Sequence, residues 1–295
     1  MKTTCLFTIF LAIFGMFSCN TPNSSFEVVS FNVRYNNPDD APNHWDNRKS
    51  LVRDYFAEKN PAVIGMQEVL PDQLTDLAGM LDGYDQLSAG REDGENKGEA
   101  CPVFYRKDIF DYLGGGHFWL SETPERPGSM SWNTDFPRIV TWVKLKSIRT
   151  GYPFYVFNTH FSHISEEARS NSACLLLEQI DKIVDREPVV LTGDFNTTRD
   201  TETYQCLVGV REDRHQFWDA EMQADETQNG EISYNGFDPD DGGSRIDFVF
   251  VNQHFDVVFH SVDEVHEGDV FISDHYPIRA KVTFKPDARK RRDPQ

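Results

Sequence analysis

Four short strings set carboxylates, amides and imidazoles beside runs of apolar β-formers. They are Met66-Gln67-Glu68-Val69, Asn158-Thr159-His160, Thr192-Gly193-Asp194-Phe195-Asn196 and Ser273-Asp274-His275-Tyr276-Pro277. Each delivers its polar group where a strand should run out. The set is rich in oxygen, poor in nitrogen and free of thiols, which suits a hard cation such as Mg²⁺ or Mn²⁺. Histidine with aspartate suits metal-assisted hydrolysis of a phosphate ester. Asn32 lies ahead of the four strings and joins the set.

Each residue has a plainer reading beside this one. Glu68 follows a buried strand and is the leading metal ligand; its plain alternative is a surface Glu capping the helix after Pro71. Asp194 and Asn196 are two apart, so in extended geometry they project to one face. One can orient a water while the other donates to an oxygen; an Asx turn is the alternative. Gly193 is expected to allow a tight turn after residues 189–192. Asp274 and His275 precede a strand, and His160 supplies a second imidazole at another strand end. Both imidazoles read as donors to phosphoryl oxygens, whereas His163 reads as a surface residue. Asp247 is either an orienter of a catalytic histidine or a salt-bridge partner of Arg245. Arg138 is either a planar fork for substrate phosphate or a surface cation.

The elements that must carry these groups follow from periodicity. Strands are expected at 26–33, 62–66, 102–105, 139–145, 152–158, 189–192, 246–251, 257–260 and 278–284. Helices are expected at 45–59, with Leu51, Val52, Tyr55 and Phe56 on one face, and from Pro71, with Leu74, Leu77 and Leu81. The longest helix, 166–184, turns Ala173, Leu176, Leu177, Ile180 and Val184 inward. Residues 90–98 form a charged, glycine-rich loop. Residues 219–243 read as a solvated acidic loop rather than a calcium site, because Asp238-Pro239-Asp240-Asp241 lacks a full binding-loop pattern. Strands alternate with helices in each half, with strand–strand steps between. That indicates a layered α/β protein with mixed sheets and no dividing linker.

The chain of 295 residues carries a formal charge of −19, which argues against broad affinity for nucleic acid. It mildly favours a small or lipid-linked substrate, and it leaves room for a small cationic phosphate site inside a metal-loaded cleft. Residues 1–18 read as a signal peptide, too short to span a membrane. Met16-Phe17-Ser18-Cys19 resembles a bacterial lipoprotein cleavage box with Met where Leu is usual. Cys19 would then carry a lipid anchor, with 19–25 as a tether and the protein exported to the cell envelope. No protein partner is implied. Cys101, Cys174 and Cys206 lack metal spacing and read as buried small apolar residues, with one pair possible. Residues 286–295 form a short basic tail.

Taken in order, these residues resemble the endonuclease/exonuclease/phosphatase family over roughly 26–284. Asn32 in Ser30-Phe31-Asn32-Val33-Arg34 is similar to the family's first-strand Asn, and Glu68 in Gln67-Glu68-Val69 to its metal-binding Glu. His160 is similar to the His of DNase-type members. Asp194 and Asn196 match Gly-Asp-x-Asn, Asp247 matches Arg-Ile-Asp, and Asp274 with His275 matches Ser-Asp-His. Phe118-Trp119-Leu120-Ser121-Glu122-Thr123-Pro124, with Pro137-Arg138-Ile139, resembles a secreted bacterial branch near the deadenylase-like members. The resemblance implies an α+β four-layer sandwich: two mixed β-sheets packed face to face, flanked by helices, with the site at one end of the sheets.

The activity so implied is metal-dependent hydrolysis of phosphate mono- or diesters. Glu68 would be the chief metal ligand, with Asn32 and Asp274 in the metal set. Asp194 would orient or deprotonate the attacking water, helped by Asn196. His160 and His275 would stabilise phosphoryl oxygens, with Asp247 and Asp274 fixing the imidazoles and Arg138 on the substrate. The resemblance gives the reaction, not the substrate, which stays open among small molecules, lipids and nucleic acid. The alternative is a surface lipoprotein that keeps the scaffold for binding without turnover.

Overall fold

The computed structural model describes residues 25–285 except 213, 239 and 241. The expected signal peptide, Cys19 and the rest of the tether before Ser25, and the basic tail lie outside the described residues. The first half runs β1 (Ser25–Asn32), α1 (Trp45–Lys59), β2 (Val63–Gln67), α2 (Pro71–Met80), β3 (Tyr84–Leu87), β4 (Val103–Arg106) and β5 (Phe110–Trp119). Then come β6 (Ile139–Ser147), β7 (Pro153–His160), α3 (Glu166–Ile183), β8 (Val189–Asp194), α4 (Glu202–Val208), β9 (Phe217–Asp219), α5 (Ala220–Gln223) and β10 (Ala224–Gln228). The chain closes with β11 (Asp247–Asn252), β12 (Phe255–Val262), β13 (His266–Glu267), β14 (Val270–Phe271) and β15 (Ile278–Phe284).

One sheet has the order β10-β12-β15-β1-β2-β4-β3, and the other β5-β6-β7-β8-β11-β9. Both are mixed: β1 is parallel to β2 and antiparallel to β15, while β7 is parallel to β8 and antiparallel to β6. Side chains along each strand alternate between a core shared by the two sheets and one on that sheet's outer face. Val28, Val63, Val156, Val190 and Val249 meet between the sheets. Their neighbours Val29, Phe31 and Ile64 pack with Tyr55, Phe56 and Leu77 of the first two helices. Phe157, Leu191 and Phe250 pack with Leu176 and Ile180 of α3. Strands covered on both faces must be apolar at every position, which is why they read as unbroken runs. The result is the expected sandwich of two mixed sheets with helices on the outside.

Below the site the two sheets are joined by a buried polar cluster. Gln67 Nε2 donates to Asn158 Oδ1 at 2.6 Å, and Asn158 Nδ2 donates to the carbonyls of Met66 (2.6 Å) and Pro102 (3.0 Å). Thr192 Oγ1 donates to the same Asn158 oxygen at 3.0 Å. A Cβ at Gly65 would fall 2.1 Å from Thr192 Oγ1, so only glycine permits this approach. Asn158 is satisfied on both its amide oxygen and its nitrogen, while Gln67 Oε1 in the same cluster has no partner among the described residues.

Four expectations need correction. Gly193 is not in a turn: it lies in β8, and a Cβ there would come within 2.7 Å of the Thr159 carbonyl. Residues 219–243 are not simply a solvated loop, since they hold α5, β10 and the buried Ser233 and Asn235. Phe110–Trp119 is a strand, unread because Gly114, Gly115 and Gly116 interrupt its β-forming pattern. Cys174 is exposed rather than buried, although Cys101 is buried.

Candidate active site

Strand register brings the site together. His160 at the end of β7 lies opposite Asp194 of β8, and Asp194 lies opposite Asp247 of β11. On the other sheet Asn32 ends β1 beside Gln67 of β2, one residue before Glu68. Glu68 and Asn196 then leave the strand pattern through left-handed backbone, with φ of 62° and 47°. Non-glycine residues rarely sit there, and such strain gathers where a side chain must be aimed.

Asn32 joins the two sheets' carboxylates: its Nδ2 donates to Glu68 Oε1 at 3.0 Å and to Asp194 Oδ2 at 2.9 Å. Its Oδ1 accepts from the Arg34 backbone N–H, so it turns a donor toward the cleft rather than a free oxygen. Glu68 Oε2 accepts from Tyr35 N, and Asp194 Oδ1 accepts from Asn196 N. Asn196 Nδ2 lies 3.0 Å from His160 Nε2. Ligand atoms of Glu68, His160 and Asp194 all lie within 4.8 Å of one another. Two carboxylates and an imidazole fit a hard divalent cation. Ligand atoms of Asp194, Asp247 and His275 form a second such group, and Asp274 is in neither; it accepts from Ser273 Oγ at 3.2 Å and faces Arg34 at 3.7 Å.

The two imidazoles differ. His275 Nδ1 meets Asp247 Oδ2 at 2.7 Å, while its Nε2 points toward Asp194 Oδ2 at 3.8 Å. Burial opposes its charge, but Asp247 and Asp194 outweigh that and hold its pKa well above the usual value. His160 is pushed well below it by burial, with Arg138 and Arg91 adding repulsion. Burial and Asp247 raise the Asp194 carboxyl to about 7 against the pull of His275 and Asn32. The Asp247 carboxylate meets His275 rather than forming a salt bridge with Arg245, whose Nε donates to the Asp247 backbone carbonyl.

Arg138 is buried, with Nη2 3.0 Å from His163 Nδ1; His163 itself is exposed, as expected. Two contributors were not legible. Ser233 Oγ donates to Asp247 Oδ2 at 2.7 Å and accepts from the backbone N–H groups of Ile246 and Asp247. The Tyr234 ring stands edge-on to His275, with centroids 5.1 Å apart. Both come from the segment read as a loop, and no local spacing links Ser233 to Asp247.

Comparison with known proteins places this geometry. A solved endonuclease/exonuclease/phosphatase from Bacteroides vulgatus is 35% identical with a TM-score of 0.85, over 89% of this chain and 100% of that one. A mannosyl-6-phosphatase from Bacteroides thetaiotaomicron is 34% identical with a TM-score of 0.80, over 88% and 100%. The uncharacterized protein L388 of Acanthamoeba polyphaga mimivirus is 30% identical over 161 residues, 52% of this chain and 59% of that protein. The chain thus spans under two thirds of this curated relative's length. The model of the Endonuclease/Exonuclease/phosphatase family matches residues 29–275. The chain therefore belongs to the endonuclease/exonuclease/phosphatase family of phosphate-ester hydrolases.

Proposed function

We propose that this chain is a Mg²⁺- or Mn²⁺-dependent phosphoesterase that hydrolyses phosphate mono- or diesters by in-line attack of water. The observation that carries this reading is the meeting of Glu68, His160 and Asp194, with Asn32 linking the two carboxylates. A divalent cation held by Glu68 and Asp194, with His160 beside them, would neutralise charge on a phosphoryl oxygen. Asp194, whose Oδ2 accepts from Asn32, is the group suited to orient the attacking water or take its proton. Its Oδ1 is fixed by Asn196 N–H, so its lone pairs have a set direction. His275, held charged by Asp247, would donate from Nε2 to an oxygen whose negative charge grows during attack.

Sugar phosphates are the first substrates to test, because the 34% identical mannosyl-6-phosphatase is a solved relative. The apolar run before Cys19 supports export and a lipid anchor as the setting of this activity. The deciding experiment is a panel of esters with and without Mg²⁺: sugar phosphates, inositol phosphates, nucleic acids, sphingomyelin and a generic bis-ester. Metal-dependent release from at least one class is expected. Folded, metal-loaded protein inert on all of them would favour a binding role for the scaffold.

A further inference from the structure

Among the described residues four arginines are buried, and two of them, Arg48 and Arg245, are saturated by partners in the protein. Arg48 donates to the carbonyls of Asn43, Val33, Ile272 and Arg34. Arg245 donates to the carbonyls of Asp247 and Gly230 and meets His260 Nε2 at 3.0 Å. Arg91 and Arg138 break the pattern. They are 7% and 4% exposed, and among the described residues they own all three buried guanidinium nitrogens without a partner in the protein: Arg91 Nε, Arg138 Nε and Arg138 Nη1. A buried donor left unpaired is costly, so such a group is expected to have a ligand.

Both lie against the active site. Arg138 immediately precedes β6, whose Val140 is the register partner of Thr159, next to His160. Arg91 follows Gly90, and both Gly90 and Val69 bridge to Ala100; Val69 is the residue after Glu68. Arg91 Nη1 is held by Glu99 Oε2 at 2.6 Å, and the exposed Phe136 ring covers the guanidinium at 4.7 Å. One strut and one apolar cover fix the group without using its Nε.

We infer that Arg91 and Arg138 form an anion subsite that takes a terminal phosphate oxygen of a phosphomonoester, making this a site for monoesters over diesters. The inference rests on the phosphoesterase reading above and deepens it. A monoester phosphate carries a charge of about −1.5 to −2 at pH 7 and three terminal oxygens. A diester carries one charge, keeps only two terminal oxygens and has carbon on the other two. The unpartnered Arg138 Nε and Nη1, with Arg91 Nε, match the extra charge and the extra acceptor. A diester would set an alkyl group against their free N–H groups, and sites built to bond a polar group reject analogues that lack it.

The test uses the full chain with Mg²⁺ and two substrates, p-nitrophenyl phosphate and bis-p-nitrophenyl phosphate, beside calorimetric titration with inorganic phosphate. Wild type should favour the monoester. In Arg91→Met and Arg138→Met the monoester-to-diester ratio of kcat/KM should fall at least tenfold, mainly through KM, and phosphate should bind at least tenfold more weakly. Arg91→Lys and Arg138→Lys keep the charge and lose the fork; they serve if the Met variants misfold and should show the same loss to a smaller degree. An unchanged ratio together with unchanged phosphate affinity in folded variants would overturn the subsite. Wild type inert on both esters would count against the phosphoesterase reading, and phosphate affinity across the variants would then decide the subsite alone.

Discussion

Asp247 Oδ2 lies 2.7 Å from His275 Nδ1, and Ser233 Oγ holds the same carboxylate oxygen at 2.7 Å. The imidazole is thereby fixed in orientation and in charge, with Nε2 left to face Asp194 and the cleft. Carboxylate, imidazole and hydroxyl come from β11, the segment before β15 and the segment after β10.

Removing that charge should expose its role. Asp247→Asn is expected to lower the pKa of His275 and to cost on the order of a hundredfold in rate, the scale of a lost positioned group. The imidazole proton resonances of His275, followed by NMR across pH, check this. An unmoved His275 midpoint would separate Asp247 from any orienting part.

Arg48 should matter for stability rather than chemistry. Its guanidinium is fully buried and binds four backbone carbonyls, including those of Arg34 and Ile272, which flank the site loops. Arg48→Met leaves those carbonyls unpaired and should cost about 2–5 kcal/mol. Urea denaturation measures it, and a change below about 1 kcal/mol would contradict this account.

Acid should destabilise the fold through the half-buried His117 and the buried His260. Burial lowers His117 to about 4 and His260 to about 3, from an ordinary 6.5. Below 6.5 the unfolded chain takes protons that the native chain refuses, so stability present above 6.5 is lost as pH falls toward 3. Each group contributes a slope of up to about 1.4 kcal/mol per pH unit in that window. His260→Gln should flatten the slope of denaturation free energy against pH; an identical slope would reject the assignment.

Cys174 of α3 and Cys206 of α4 lie with sulfurs 3.3 Å apart, both as thiols. Burial pushes the Cys206 thiol up to about 12, so it is a poor nucleophile and oxidation should be slow. With excess oxidised glutathione the pair should close by thiol–disulfide exchange, releasing two reduced glutathione molecules. A bridge over this 32-residue separation should stabilise by roughly 3–4 kcal/mol. Thiol counting and thermal melts before and after treatment test it; full retention of both thiols would refute it.

The sequence made the carriers of the site legible because they are buried on both faces. Trp45–Lys59 and Ile278–Phe284 match their expected bounds, since an apolar helix face and a buried strand leave strong periods. Phe110–Trp119 did not, because Gly115 serves tertiary packing: a Cβ there would meet Leu87 Cδ2 at 2.6 Å and the Trp142 carbonyl at 2.7 Å. Ala224–Gln228 is a polar edge strand held by backbone pairing with β12, so its side chains carry no strand signal. Among site residues, those in strand-end strings could be read locally. Ser233 and Arg91 could not, because their partners are supplied by the fold.

Glu68 and the cation carry the proposed chemistry. The measurement is the rate of phosphate-ester hydrolysis by metal-stripped protein as Mg²⁺ is titrated back, for wild type and Glu68→Gln. Wild type should be silent in EDTA and recover with Mg²⁺. Glu68→Gln, of the same shape with one charge fewer, should need at least tenfold more Mg²⁺ for half its maximal rate while remaining folded. Full wild-type activity in EDTA after removal of bound metal, or the same half-activating Mg²⁺ concentration in both proteins, would contradict the account.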